Sequence, residues 1–326
     1  MKFFSLNKSE LSRKLFSLLE ISNKDSNLHI DEFSDGEFQP VFKESVRDED
    51  VFIMADGSSS DDIIKLCLTI DASKRAGSKS ITVIYPFAPY SRQDKLKNNI
   101  RSSISARTIA DMLQAVGMDR LITIELHAGA IMGFYSTPVI HLNGNKIFID
   151  YIKSLNLENV CVCAPDHGAT ERNRDFAKSI PNSAFAMIDK TRVKFNEVSD
   201  MSLIGEENIL NRNVIVIDDM TDTATTLMKA SHLLAEKGAK SIYSVATHGV
   251  LSGKALENIY NSALTELIVS DTVYGTYEKI QEYNRLYTTP NKFGIIPKLS
   301  IISCSDLLTE TIIRLNNHKS IAELNN

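Results

Sequence analysis

Val214-Ile-Val-Ile-Asp-Asp-Met-Thr-Asp-Thr-Ala-Thr-Thr226 is the stretch whose reading decides the rest. It begins as an unbroken apolar run rich in β-branched residues, the pattern of a strand buried on both faces of a parallel sheet. The run stops at Asp218-Asp219, and a short loop of Thr and Asp follows. Leu227, Ala230, Leu233 and Leu234 then fall at helical spacing, with Gly238 placed as a C-terminal stop. The predicted unit is strand, polar loop, helix. In open α/β sheets, ligands bind at the carboxyl ends of the strands, where the N–H groups and dipole of the next helix attract phosphate. Asp222 to Thr226 is placed to wrap a phosphate with amides and hydroxyls. The adjacent carboxylates of Asp218 and Asp219 would repel a bare phosphate; they suit a ligand that also presents sugar hydroxyls or arrives with Mg²⁺. An Asp/Thr loop that merely caps a helix is the plain alternative. The Asp pair and the Thr cluster together favour a ribose-phosphate site.

The chain has 326 residues, enough for about two domains of roughly 150 residues each. It is 43% hydrophobic and 24% charged, ordinary values for a water-soluble globular protein. Its apolar runs are too short to span a bilayer. The start, Met1-Lys-Phe-Phe-Ser-Leu-Asn, lacks the long apolar core of a secretory signal. Net charge is −5 with both signs mixed along the chain, which argues against a nucleic-acid surface. Cys67, Cys161, Cys163 and Cys304 form no CxxC pair and read as buried apolar residues, so the expected compartment is the reducing cytoplasm.

Outward from the opening stretch, the chain repeats itself. Lys237-Gly-Ala-Lys-Ser-Ile-Tyr-Ser-Val echoes Ala76-Gly-Ser-Lys-Ser-Ile-Thr-Val, and Val51-Phe-Ile-Met-Ala-Asp-Gly-Ser-Ser-Ser has the same strand-then-loop form. Two copies of one α/β unit joined near residues 142–146 are expected. The first keeps a single acid, Asp56, in its loop and is read as having lost ribose-phosphate binding. Phe33-Ser-Asp-Gly-Glu37 holds a turn dipeptide, with Phe33 available for stacking on a purine base. Arg92, after the strand Ile81–Pro86, suits nucleotide phosphates or adenine; a helix is expected from Arg101 to Ala115. His127 and Asp166 both lie at predicted strand ends. Lys190 and Arg192 lead a long polar stretch to Asn213, which reads either as a mobile lid or as a solvated β-hairpin.

The opening stretch resembles the phosphoribosyl-diphosphate loop of type I phosphoribosyltransferases and their relatives. The whole order of motifs resembles one relative, ribose-phosphate diphosphokinase (phosphoribosyl pyrophosphate synthetase) of class I. The matching stretches include Phe33-Ser-Asp-Gly-Glu, Pro89-Tyr-Ser-Arg-Gln-Asp-Lys, Leu126-His-Ala-Gly, Pro165-Asp-His-Gly, Ile188-Asp-Lys-Thr-Arg, Val216-Ile-Asp-Asp-Met-Thr-Asp-Thr and Ala246-Thr-His-Gly-Val-Leu-Ser-Gly. The resemblance implies an α/β fold of two tandem type I phosphoribosyltransferase-like domains, each a mostly parallel sheet flanked by helices. Residues 1–143 would form the ATP side and 144–326 the ribose 5-phosphate side, with the last helix returning to the first domain.

The implied reaction moves the β,γ-diphosphate of ATP to the 1-hydroxyl of ribose 5-phosphate. By resemblance, Phe33 and Arg92 sandwich adenine, and Asp35, Glu37, Gln93 and Arg101 assist with ATP. His127 and Asp166 hold Mg²⁺. Asp218 and Asp219 bind ribose hydroxyls and metal. Asp222, Thr223, Ala224, Thr225 and Thr226 cradle the 5-phosphate, and Lys190 and Arg192 close on the transferring group. The implied assembly is a homo-oligomer, by resemblance a hexamer built of dimers. Phosphate and ADP are the implied effectors: Ser45, Arg47 and Ser320 match that regulatory site, whereas Gly129, His141 and Ala322 depart from the usual Ser, Asn and Ser. Other departures are Thr191 for a cation and Ala169 and Thr225 for glycines. A phosphoribosyltransferase and a catalytically silent regulatory subunit are the alternatives.

Overall fold

The computed structural model describes residues 1–21, 27–96, 101–194 and 197–324; of residues 190–194 and 197–200 only the backbone is described. The chain forms two compact units. The first comprises Met1–Asn143, Thr272–Tyr274 and Cys304–Asn326, and the second Gly144–Asp271 and Gly275–Ser303.

The first unit contains β1 (Lys2–Ser5), α1 (Glu10–Leu18), β2 (Leu28–Glu32), β3 (Phe38–Phe42), β4 (Asp50–Met54), α2 (Ser60–Arg75), β5 (Ser80–Ile84), α3 (Ser105–Ala115), β6 (Arg120–Ile124) and β7 (Val139–Leu142). Its main sheet runs β1-β4-β5-β6-β7 with every pairing parallel. Val51, Ile53, Ile81, Val83 and Leu121 pack in one core with Ile63, Leu66 and Ile70 of α2. Burying an Ile or Leu side chain there stabilises the unit by roughly 1.5–3 kcal/mol. β2 and β3 form a separate antiparallel hairpin. Helix α3 starts at Ser105, not at Arg101. The reason is non-local: the Ala106 N–H donates to the Gln93 carbonyl at 3.2 Å, and the Ser105 hydroxyl donates to Gln93 Oε1 at 2.6 Å. The preceding loop thus fixes the first turn.

The second unit contains α4 (Asn145–Ser154), β8 (Val160–Ala164), α5 (Thr170–Lys178), β9 (Ala184–Lys194), β10 (Glu197–Ile204), β11 (Asn213–Thr221), α6 (Thr225–Glu236), β12 (Ser241–Gly249), α7 (Ala255–Tyr260), β13 (Glu266–Ser270), α8 (Thr276–Leu286) and β14 (Lys298–Ile302). The sheet order is β10-β9-β8-β11-β12-β13-β14, parallel except for β9 with β10. Val214 and Val216 face one core and Ile215 and Ile217 the other, so β11 is buried on both faces as its composition requires. The last helix, α9 (Ser305–Asn316), lies in the first unit against α1. All four cysteines are free and buried. No helix among the described residues is long and apolar enough to cross a membrane.

Candidate active site

β11 is longer than the apolar run suggests. β8 pairs only with Asn213–Val216, whereas β12 continues to pair through Asp218↔Ala246, Met220↔His248 and Thr221↔Gly249. Asp218 and Asp219 therefore lie on a strand overhanging β8, not at the start of a loop. Asn173, fully buried on α5, ties this overhang to the helix: its Nδ2 donates to the carbonyls of Ile217 and Ala169, both at 2.8 Å.

The acids on the overhang crowd one another. Burial pushes the Asp218 carboxyl well above its ordinary value of 3.8, and the charges of Asp219 and Asp166 push it further. Arg172, whose Nη1 is 4.0 Å from Asp218 Oδ1, opposes the rise. The Asp218 side chain keeps 37% of its surface, so it is open to a ligand. Asp219 is buried at 5% exposure. Asp166 Oδ1 accepts from the Ala169 N–H at 3.2 Å, which orients this carboxylate at the end of β8. Asp218, Asp219 and Asp166 gather hard oxygen donors whose like charge Arg172 offsets in part, the donor chemistry that a divalent cation takes through one or two carboxylates beside water and phosphate. No set of three His, Cys, Asp or Glu able to enclose a metal occurs among the described residues.

Beyond Thr221 the loop turns into α6. Ala224 occupies the N-cap position with φ +57°, the left-handed region, and no side chain caps the helix. The first turn holds no acid. Thr223, Thr225 and Thr226 are exposed and Asp222 is half-buried. The Asp222 carboxylate accepts from the Ser252 hydroxyl, and Asn258 Nδ2 donates to the Thr223 carbonyl at 2.8 Å. Half-buried Lys279 donates from Nζ to the Val250 carbonyl; burial lowers its pKa and the Asp222 charge opposes that. Sequence reasoning missed Arg172, Asn173, Ser252, Asn258 and Lys279. Ser252 falls inside the quoted stretch Ala246–Gly253, but the other four carry no local signal.

The segment that begins at Lys190 runs along the antiparallel pair β9–β10. Lys190 is in register with Met201 and Arg192 with Val198. The side chains of Lys190, Thr191 and Arg192 lie outside the described residues.

In the first unit, Phe33 stands 49% exposed on the β2–β3 turn, which is closed by Phe33 N–H to the Glu37 carbonyl at 2.9 Å. Asp35 Oδ1 accepts from the Glu37 N–H at 3.2 Å. Arg92, Gln93 and Arg101 are exposed. His127 is exposed two residues after buried Glu125, which takes a left-handed φ of +46° where the chain leaves β6. Of the regulatory positions, Ser45 Oγ accepts from the Arg47 N–H at 3.4 Å. The Ser320 carbonyl accepts from Arg314 Nη1 at 3.0 Å. His141 Nε2 accepts from the Leu126 N–H at 2.9 Å, so this departure from the family is engaged in holding the end of β6.

Comparison with known proteins agrees along the whole chain. The N-terminal domain of ribose phosphate pyrophosphokinase matches residues 1–117, and the phosphoribosyl synthetase-associated domain matches residues 167–326. Ribose-phosphate pyrophosphokinase 1 of Streptococcus agalactiae is 38% identical, covering 99% of this chain and 96% of that one. Ribose-phosphate pyrophosphokinase of Porphyromonas gingivalis is 38% identical over 91% of this chain and 89% of its own length. The crystal structure of phosphoribosylpyrophosphate synthetase from Mycobacterium smegmatis superposes with a TM-score of 0.83 at 31% identity, covering 98% of this chain and 99% of that one. At that identity over that length, with the tandem α/β units in place, the chain belongs to the ribose-phosphate pyrophosphokinase family.

Proposed function

We propose that the chain transfers the β,γ-diphosphate of ATP to the 1-hydroxyl of ribose 5-phosphate, giving 5-phosphoribosyl 1-diphosphate and AMP. The observation that carries this reading is the pairing of two carboxylates on the β11 overhang with a helix N-terminus that no side chain caps. Carboxylates accept from sugar hydroxyls, and the N-terminus of α6 takes the 5-phosphate. In this reading Asp218 and Asp219 fix the ribose, and Asp222 to Thr226 fix its phosphate. The 1-hydroxyl oxygen attacks the β-phosphorus in line, the bond from that phosphorus to the AMP oxygen breaks, and the hydroxyl proton is released. Such a transfer depends on positioning and on neutralising charge.

Met1–Asn143 supplies the ATP side: Phe33 and Arg92 stack on adenine, and Asp35, Glu37, Gln93 and Arg101 recognise the nucleotide. His127 and Asp166 take the metal with the ATP phosphates. Mg²⁺, when bound, neutralises phosphate oxygens. Lys190 and Arg192, on the β9–β10 hairpin, supply the positive charge that meets charge moving toward AMP. The enzyme acts in the cytoplasm as a homo-oligomer, with phosphate and ADP as effectors at Ser45, Arg47 and Ser320, and Gly129, His141 and Ala322 weaken that control.

The test mixes purified protein with ATP, ribose 5-phosphate and Mg²⁺ and follows AMP and phosphoribosyl diphosphate together. Equal amounts of both are expected, with Lys190→Ala slower by at least about 100-fold, the scale of losing one transition-state charge contact. ATP left intact by the wild type, with and without added phosphate, would overturn the reading.

A further inference from the structure

We propose that Asn258 is a positioning residue for the phosphate loop, acting by fixing the Thr225 hydroxyl as a donor to the 5-phosphate. The proposal rests on the reading of Asp222–Thr226 as the ribose 5-phosphate site. Asn258 lies on α7, a helix to which neither composition nor motif assigns a role. Its side-chain amide has two N–H bonds, and both are used on the loop. One goes to the Thr223 carbonyl at 2.8 Å and the other to Thr225 Oγ1 at 3.2 Å. The Thr223 and Thr225 hydroxyl oxygens are 3.2 Å apart.

The consequence follows from counting protons. Thr225 Oγ1 accepts from Asn258, which turns its own proton away from the amide, toward the Thr223 hydroxyl 3.2 Å away or toward a bound phosphate oxygen. Thr223 and Thr225 are exposed on either side of left-handed Ala224, at the uncapped end of α6. A bound phosphate oxygen there receives hydroxyl protons as well as backbone N–H groups. Without the amide, the Thr225 hydroxyl is free to rotate, and the Thr223 carbonyl loses a partner.

The same segment of chain holds the other half of the loop. The Leu251 N–H donates to the Thr221 carbonyl and the Ser252 N–H to the Asp222 carbonyl, both at 3.0 Å. The Ser252 hydroxyl donates to the Asp222 carboxylate. Residues 251–258 therefore clamp the loop at Thr221, Asp222, Thr223 and Thr225. Of these clamps, the one from Asn258 reaches an exposed hydroxyl of the loop, that of Thr225.

The experiment is a double-mutant cycle on the full-length protein with Asn258→Ala, Thr225→Ala and the pair. Ribose 5-phosphate Kd is measured by calorimetry, and KM for ribose 5-phosphate and for ATP by steady-state assay. Asn258→Ala is expected to weaken ribose 5-phosphate about three- to tenfold, the range of one hydrogen bond, with KM for ATP unchanged. In the Thr225→Ala background the same change should cost less than about twofold. Equal losses in both backgrounds, no loss at all, or a parallel rise in both KM values would overturn the proposal. Should Asn258→Ala fail to fold, Asn258→Leu keeps the volume, removes the donors and reads the same coupling. A wild type that binds ribose 5-phosphate but forms no phosphoribosyl diphosphate overturns the proposed activity, and calorimetry still reads Asn258. A wild type that binds no ribose 5-phosphate overturns both.

Discussion

At the end of β4, the chain enters α2 through Ala55-Asp-Gly-Ser-Ser59; at the end of β11, it enters α6 through Asp222-Thr-Ala224. The two steps have one plan and opposite interiors. In the first, Ser59 and Asp62 form a capping box: the Ser59 hydroxyl accepts from the Asp62 N–H at 3.1 Å, and the Asp62 carboxylate accepts from the Ser59 N–H at 3.0 Å. Gly57 makes this possible, since a Cβ there would lie 2.3 Å from the Asp62 carboxylate. The helix N-terminus already holds a carboxylate of its own. In the second step no side chain caps the helix and no acid stands in its first turn. An N-terminus that supplies its own anion has no need of a ligand; one that lacks it is completed by phosphate. The self-capped end of α2, with a single acid in its loop, agrees with the expectation that the first copy has given up ribose-phosphate binding.

The largest effect that would break this comparison is on activity. Asp218→Asn should lower the rate of phosphoribosyl diphosphate formation by at least about 100-fold, as loss of a charged group at a reacting centre does. Asp56→Asn should leave that rate within about twofold of wild type. Asp56 is buried at 1% exposure and its Oδ1 accepts from Asn7 Nδ2 at 2.8 Å, contacts that hold the fold. A comparable loss in Asp56→Asn would show that the first loop still serves the chemistry.

A smaller effect separates the same two acids by pH. Burial raises both Asp56 and Asp218 above the ordinary 3.8, Asp56 against hydrogen bonds from Ser9 and Asn7. For a carboxyl whose folded pKa is raised, the folded chain holds its proton more tightly than the unfolded chain. Its contribution to stability is therefore complete below pH 3.8 and is lost as pH rises through the folded value. Melting temperature of the metal-free protein should fall along that rise, and less so in either asparagine variant. Mg²⁺ should recover the part due to Asp218 and leave the part due to Asp56. Melting curves against pH with and without Mg²⁺ read both, and equal recovery at the two sites would remove the distinction.

Much of this contrast was legible in the chain. The β-branched run at 214–217 gave a strand buried on both faces, and Leu227 to Leu234 gave the helix, because both signals are local periodicities. The end of β11 was not legible. Asp218 to Thr221 stay in the sheet because β12 continues beside them, a pairing made between residues about 28 apart that no local pattern encodes. The start of α3 was misplaced for a similar reason, since Gln93 fixes its first turn. Arg172 and Asn258 are ordinary surface-type residues on ordinary helices. Only the tertiary fold brings one to Asp218 and the other to Thr225.

The smallest effect lies at Ala224. A residue with a Cβ in the left-handed region carries strain of about 1 kcal/mol, which glycine avoids. Ala224→Gly should therefore stabilise the folded protein by less than about 1 kcal/mol, since glycine's freedom in the unfolded chain and the lost packing of the buried Ala224 methyl offset part of the relieved strain. Ser59→Ala, at the matching position of the first step, should instead destabilise by about 1 kcal/mol, because there the cap is a side chain. Urea unfolding of the two variants reads both signs. The same sign in both would mean that the second N-terminus is held by its own loop as firmly as the first. Opposite signs would mean that the open N-terminus of α6 is kept under strain, in the shape a phosphate fills.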